Sequence, residues 1–378
     1  MNAKSYLLTF TPFGRYYFGT SRSFAESFFA VSQKFPGQTT ILGCLRYILL
    51  IQNGFGLTKN PKKENLSSYY SLTGKSVMNS LDEVDPDLGI IKKISPVFIV
   101  KNDLSGSQTD YLFELPCDVV RTKSGVRIKD YNQKPGTKNN SNRISEDTAY
   151  SKSFEEKDFV CDDKLGGREF WLNYLKGLIN GLSDKDEVFI SDKQPGLGRD
   201  PNKRTANEKE FYVKKDYRLK KNYSFGVIVH LDDSNLNINN NSNTKKWKLE
   251  NDDVRLGGEN SWFRMKILPF TDNTSHLLID RFINLSDYGD FEDSKYISEK
   301  RKLIFLSHLI GAGELKYPHA IIPDVAALRM WESGSKKTDS FMSVPQNSVI
   351  YNDPQFEIDK SRFKSFDKKI GFNWAIKV

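Results

Sequence analysis

The apolar positions of this chain fall into short blocks that favour strands, broken by a few helical stretches. Ser5 to Thr9 (SYLLT) is rich in β-forming residues and predicts a strand, which Pro12 and Gly14 end. KFPGQTTILGCLRYILLIQ follows. Pro36 and Gly37 turn the chain, Thr39 or Thr40 caps, and a helix is predicted from about Ile41 to Gln52. Its apolar residues go most of the way round, so it should be buried on more than one side. KKISPVFIVK (Lys92 to Lys101) and DYLFELPCDVV (Asp110 to Val120) form a predicted hairpin, with turn residues between them. REFWLNYLKGLINGL (Arg168 to Leu182) is an amphipathic helix with a stripe of Trp171, Tyr174, Leu175, Leu178 and Leu182. KEFYVKKDYRL and YSFGVIVHL read as paired strands, and SWFRMKIL and HLLIDRFI as further strands. ISEKRKLIFLSHLI (Ile297 to Ile310) reads as a helix, and FMSVPQNSVIYN as a closing strand.

The pattern is α+β: two domains, each a sheet with helices on one side. The expected division is 1–165, with a polar insert near 130–165, and 166–378, with an Asn-rich insert near 233–247 that reads as disordered.

Composition adds a class and an address. The 378 residues are 38% hydrophobic and 28% charged, a globular balance with room for two cores. The longest apolar run, Tyr47 to Ile51, is far below the roughly 20 residues a membrane span needs. Pro12 and Arg15 interrupt any signal-peptide core, so a cytoplasmic protein without membrane contact is expected. Cys44, Cys117 and Cys161 are widely spaced, which argues against a disulfide framework and a zinc site.

Charge placement matters more than the formal net charge of +8. Residues 1–60 hold six basic residues against one acid, and residues 193–221 hold ten against four. Basic charge gathered in segments attracts polyanions, although surface lysines produce the same count without a partner.

A catalytic set is hard to assemble. GRYYFGT (Gly14 to Thr20) has P-loop spacing but places Thr20 where the phosphate lysine belongs. There is no G-x-S-x-G, H-E-x-x-H or D-F-G. His230, His276, His308 and His319 all lie outside the two basic segments, with His308 expected inside a helix. No catalytic residue, metal or cofactor is assigned.

Binding features are stronger. In GRYYFGTSRSF, Arg15 and Arg22 bracket Tyr16, Tyr17 and Phe18, and Phe24 follows. Arginines neutralise phosphates and aromatic rings stack on splayed bases, while a half-buried strand with exposed arginines is the competing reading. Gly37, Gln38 and Thr39 open a helix whose first amides suit a phosphate. Arg46, on the same apolar helix, either pairs with a buried carboxylate or reaches a phosphate. Arg199, Lys203 and Arg204 stand in PGLGRDPNKRTANEKEFY, a loop suited to closing over a strand of nucleic acid or simply a basic loop. Arg255, Gly257 and Gly258 combine charge with bare backbone that allows close approach to a ligand, or else a tight turn.

Together these stretches resemble the RAMP superfamily of CRISPR proteins, nearest the subunit that caps the guide's 5′ end in type III-B (Cmr) effector complexes. SRSF with KFPGQTTILGCLR resembles that family's R-P-F and F-P-P-x-S-T-x-x-G-A-x-R signature, and KKISPVFIV with YLFELPCDVV its strand pair ending in a Pro-x-Asp turn. GLGRDPNKRTANEKEFY resembles its G-x-x-x-D-x-x-x-R-T-A loop, VRLGG its glycine-rich signature, and FMSVPQNSVIY its V-P-x-G-S-V-Y ending. The matches run in family order from Arg22 to Tyr351. Pro36-Gly37 departs from a proline run, and Asn347 replaces a glycine, a mild change because Asn tolerates the left-handed region.

The resemblance implies two ferredoxin-like (RRM-like) domains and binding of the repeat-derived 5′ tag of the crRNA. It also implies contacts with the large polymerase-like subunit and a backbone subunit, which would hold the nuclease and cyclase chemistry. The alternative is a RAMP-family endoribonuclease that processes CRISPR RNA. Such enzymes usually carry a histidine early in the chain, and here the first is His230.

Overall fold

The computed structural model describes residues 3–19, 29–55, 65–75, 86–102, 109–122, 125–128, 149–151, 164–179, 187–199, 206–239, 246–270, 282–284, 302–308, 320–322, 326–328, 341–343, 346–351, 369–372 and 374–377. Elements run β1 (Lys4–Pro12), β2 (Phe29–Val31), α1 (Gln38–Gln52), α2 (Leu66–Thr73), β3 (Ile91–Ile94), β4 (Phe98–Asn102), β5 (Thr109–Glu114), β6 (Val119–Thr122), β7 (Gly125–Ile128), β8 (Ala149–Ser151), β9 (Leu165–Gly166) and α3 (Arg168–Tyr174). Then come β10 (Phe189–Arg199), β11 (Ala206–Leu219), β12 (Tyr223–Leu231), β13 (Leu236–Ile238), β14 (Trp247–Leu249), β15 (Asp252–Arg255) and β16 (Trp262–Pro269). Short strands close the chain: β17 (Phe282–Asn284), β18 (Lys302–Phe305), β19 (Ala320–Ile322), β20 (Ala326–Leu328), β21 (Phe341–Ser343), β22 (Val349–Tyr351) and β23 (Trp374–Lys377).

The class is α+β. An eight-stranded antiparallel sheet runs β15-β16-β1-β12-β4-β5-β9, with β3 also on β12. A six-stranded sheet runs β17-β23-β18-β22-β19-β8, and β10-β11-β2 form a separate arm. The large sheet interleaves strands from both sides of residue 165, and β8 joins the six-stranded sheet. The boundary expected there therefore does not divide the sheets.

Strand β12 sits at the centre because it is apolar on both faces. Phe225, Val227 and Val229 share a core with Ile41, Leu45 and Ile48 of α1, while Ile228 turns to a second core with Phe170, Trp171 and Tyr174 of α3. Strand β16 alternates instead. Phe263, Met265 and Ile267 are buried, and Trp262, Arg264, Lys266 and Leu268 face outward.

Several expectations are corrected. β11 and β12 do not pair with each other: β11 pairs β10 and β2, and β12 pairs β1, β3 and β4. An apolar strand needs cover on both faces, whereas the lysine-rich β11 is half-buried over Tyr212–Lys215 and needs less. α1 starts earlier than predicted. Gly37 is its N-cap without a side-chain cap, so neither Thr39 nor Thr40 caps. The Gly37 carbonyl accepts from the Thr40 and Ile41 amides at 3.0 and 3.1 Å. α3 ends at Tyr174, followed by Gly177 at φ +75, and Leu178 is exposed. Lys302–Phe305 is a strand rather than part of a helix, because its short apolar run from Leu303 is one that periodicity alone does not resolve. Leu236 and Ile238, inside the Asn-rich stretch, are a buried strand pairing β14, while 240–245 lie outside the described residues. The closing motif is two strands, with Asn347 between them at φ 66.

Asp118 ties the second core together. It accepts from the Tyr174 hydroxyl at 2.7 and 2.8 Å and from Lys302 Nζ at 2.5 Å, all within buried surroundings. His308 follows β18, and burial pushes its imidazole down to about 4. The unfolded chain then binds a proton that the fold refuses between about pH 6.5 and 4. Stability is expected to fall as pH drops through that window, by up to roughly 3 kcal/mol, and His308→Gln should flatten the profile in urea titrations. Among the described residues, no helix is long and apolar enough to cross a membrane.

Candidate nucleic-acid interface

The segment Arg15–Phe18 is stitched between the arm and the β15–β16 hairpin. The Tyr16 amide donates to the Tyr217 carbonyl at 2.8 Å, and the Tyr17 amide donates to Ser261 Oγ at 3.0 Å. Phe18 donates to Ser32 Oγ at 2.8 Å and accepts from the Gln33 amide at 2.8 Å. Four pieces distant in sequence thus meet at one place: 15–18, 29–33, β11 and the 256–261 turn.

The alternation of the segment decides what each aromatic does. Tyr16 and Phe18 point inward, against Phe225 and Phe263. Tyr16 is buried, its hydroxyl donates to the Lys34 carbonyl at 3.1 Å, and desolvation raises its pKa. Its ring therefore serves the core, not a base. Tyr17 is half-buried on the other side. Lys214 Nζ lies 5.1 Å from its ring centroid and also pairs with Asp216 at 3.2 Å and Glu259 at 3.4 Å.

The glycine pair has a similar correction. Gly257 stands at φ +87, and a Cβ there would lie 2.6 Å from both the Phe18 ring and the Tyr17 carbonyl. The Gly258 amide donates to that same carbonyl at 2.9 Å. The bare backbone admits the protein's own Tyr17–Phe18 segment rather than a ligand. Arg255 is exposed, with its guanidinium 4.9 Å from the centroid of Trp262, its cross-strand partner.

The other predicted residues scatter. Arg15 is half-exposed and pairs with Asp192 at 2.6 Å. Gln38 is buried. With its amide turned to satisfy both neighbours, it donates to the Ile370 carbonyl at 2.9 Å and accepts from the Val97 amide at 3.1 Å, a structural link. Gly37 and Thr39 are half-buried at the start of α1. Arg46 is largely buried, and desolvation lowers its pKa to about 10 against the opposing pull of Asp87 and Tyr69. Burial outweighs that pull, so Arg46→Glu changes a charge inside the fold and is a test of folding as well as of RNA contact. Arg199 lies in β10 opposite Ala206, which turns much of the expected loop into a two-stranded arm. Lys203, Arg204, Arg22 and Phe24 lie outside the described residues.

Sequence reasoning passed over Lys214, Lys215 and Trp262. A strict two-residue alternation along WFRMKILP was the signal that places Trp262 outward. Reaction chemistry finds little here. His230 shares a 3.1 Å hydrogen bond with Ser5, and burial and then Lys93 lower its pKa. Burial pushes the Cys44 thiol up to about 12. Among the described residues, no group of three or more His, Cys, Asp or Glu could hold a metal ion.

The family described as CRISPR-associated protein (Cas_Cmr3) matches residues 8–277. This chain belongs to that family. The match takes in the candidate face just described, from Arg15 through the glycine hairpin. Two cryo-EM structures are similar to this Cas_Cmr3 chain, each over 98% of it and 95% of the other chain. One is of type III-B Cmr-beta bound to cognate target RNA and AMPPnP, state 1 (16% identity, TM-score 0.45), and one of type III-B Cmr-beta bound to cognate target RNA (15%, 0.45). A crystal structure of a Csm1-Csm4 cassette in complex with pppApA is similar over 93% and 88% (8% identity, TM-score 0.37). No curated protein matches the sequence.

Proposed function

We propose that this Cas_Cmr3 chain is a non-catalytic RNA-binding subunit of a type III-B CRISPR effector complex. On this reading it caps the repeat-derived 5′ tag of the crRNA and joins the large polymerase-like subunit to the backbone. The observation that carries the reading is the convergence of Arg15–Phe18, the lysines of β11 and the 256–261 hairpin on one face of a family member. That face offers Tyr17, Lys214 and Arg255 together, the mixture of ring and cation that a single RNA strand requires. The reading carries with it two ferredoxin-like (RRM-like) units.

A tagged pull-down with sequencing of the co-purified small RNAs tests it. Reads sharing one short repeat-derived 5′ end before varied spacers are expected, and absent or random RNA defeats the proposal. Lys214→Ala and Arg255→Glu are each expected to weaken capture of such a guide roughly fivefold to tenfold at fixed salt. Each should also reduce the salt slope by about one. Repeat RNA incubated with the purified protein without metal should stay intact, and cleavage lost in a His230→Ala variant would instead favour a processing nuclease.

A further inference from the structure

The eight-stranded sheet leaves part of one face open. Core packing covers Leu7 and Ile228 on that face, but it stops before the end of β16. There Trp262 is 43% exposed and Phe13, just past β1, is 56% exposed. The two are cross-strand neighbours: Pro12 registers with Phe263, and the Phe13 amide donates to the Trp262 carbonyl at 3.0 Å. Both rings therefore lie on the outward side, over buried Phe263.

Each ring carries an arginine. The Arg255 guanidinium lies 4.9 Å from the Trp262 centroid, and that of Arg264 lies 5.1 Å from the Phe13 centroid. Asp253 holds Arg264 through Nε at 3.0 Å and Nη2 at 3.2 Å, which fixes the guanidinium beside Phe13. Lys266 projects from the same outward face one step further along β16. Three cations against one acid make this plate complementary to a polyanion. A purely apolar partner would leave those charges without compensation.

We propose that this plate is a base-stacking platform for single-stranded RNA, with Phe13 and Trp262 each taking one base. A planar guanidinium and a nucleobase use the same ring face. A base that settles on Trp262 releases Arg255 toward the flanking phosphate, and Lys266 serves the next one. Cross-strand neighbours stand about 5 Å apart at Cβ, which lets consecutive bases splay onto adjacent rings. Duplex RNA hides its base faces and is not a ligand of this plate. The inference rests on the RNA-binding reading above and deepens it by naming rings beyond the Tyr17–Lys214 contact, with Arg255 shared between the two.

The test uses the full chain and a fluorescein-labelled single-stranded oligouridylate of about 12 nucleotides, with an RNA duplex of equal length beside it. Trp262→Ala and Phe13→Ala are each expected to weaken single-strand binding about tenfold without changing the salt slope, and Trp262→Tyr to restore most of it. Duplex affinity should not move. Both side chains are exposed, so matching melting curves would confirm intact folds. Unchanged single-strand affinity in the alanine variants overturns the platform. If those variants instead lose capture of the other complex subunits, the face is a protein-docking surface and the proposal is equally wrong. Weakened binding in Lys214→Ala but not in Trp262→Ala removes the platform alone. A chain that binds no RNA removes the proposed function with it.

Discussion

Asp118→Ala is expected to destabilise the protein by about 3–5 kcal/mol, the scale seen when one member of a buried ion pair is removed. Asp118 is fully buried and receives two donors from different parts of the chain, Tyr174 at the end of α3 and Lys302 in β18. Truncation leaves the Lys302 ammonium buried beside the Tyr174 ring, whose centroid is 4.1 Å away, with its carboxylate gone. Removing both charges is a different experiment. Asp118→Ala with Lys302→Met should recover much of the loss, because an uncharged pair no longer has to be desolvated. Urea unfolding of the two variants beside wild type measures the effect. A single variant within about 1 kcal/mol of wild type would show that water reaches the pair.

Gly257→Val is expected to cost roughly 2–3 kcal/mol and to reduce guide binding at least tenfold, because it combines left-handed backbone strain with a collision. The position is at φ +87, and the added Cβ meets a backbone carbonyl, that of Tyr17, which cannot rotate aside. Relief requires the 256–261 turn to lift from Tyr17, and Arg255 and Trp262 move with it. The adjacent Gly258→Ala is the control. Its Cβ would sit in ordinary contact at 3.5 Å from the Tyr17 ring, and its φ is not in the left-handed region. That variant should stay within about 0.5 kcal/mol of wild type. Equal effects at both positions would refute the steric account.

Much of the local structure was legible along the chain. A stretch rich in β-forming residues, Ser5 to Thr9, announced β1, and a Pro-Gly turn before an apolar run announced α1, with the start displaced by a few residues. The ordered motifs led to the family that the match over residues 8–277 bears out. What failed did so for identifiable reasons. β11 and β12 are neighbours in sequence, so pairing them was natural. Their partners were decided by which strand needed cover on two faces. Lys302–Phe305 looked helical because the short apolar run it opens, Leu303 to Leu306, has no period to read.

The candidate face divides in the same way. Residue types and their clustering are sequence properties: basic charge in two segments, rings between arginines, and a glycine pair beside an arginine. Whether a given ring or cation is available is not. Tyr16 and Tyr17 are adjacent and chemically equal, yet the bridge to Tyr217 sends one into the core and leaves the other beside Lys214. Arg46 and Arg255 read alike, yet one lies buried on α1 and the other is open on a sheet edge. By itself, then, the chain's sequence determined its class, its family and the chemistry it could offer. The tertiary structure alone decided which of those groups reach the surface together, because burial and strand partnership depend on residues far apart in the sequence, as in the contact of Tyr17 with Ser261 across 244 positions.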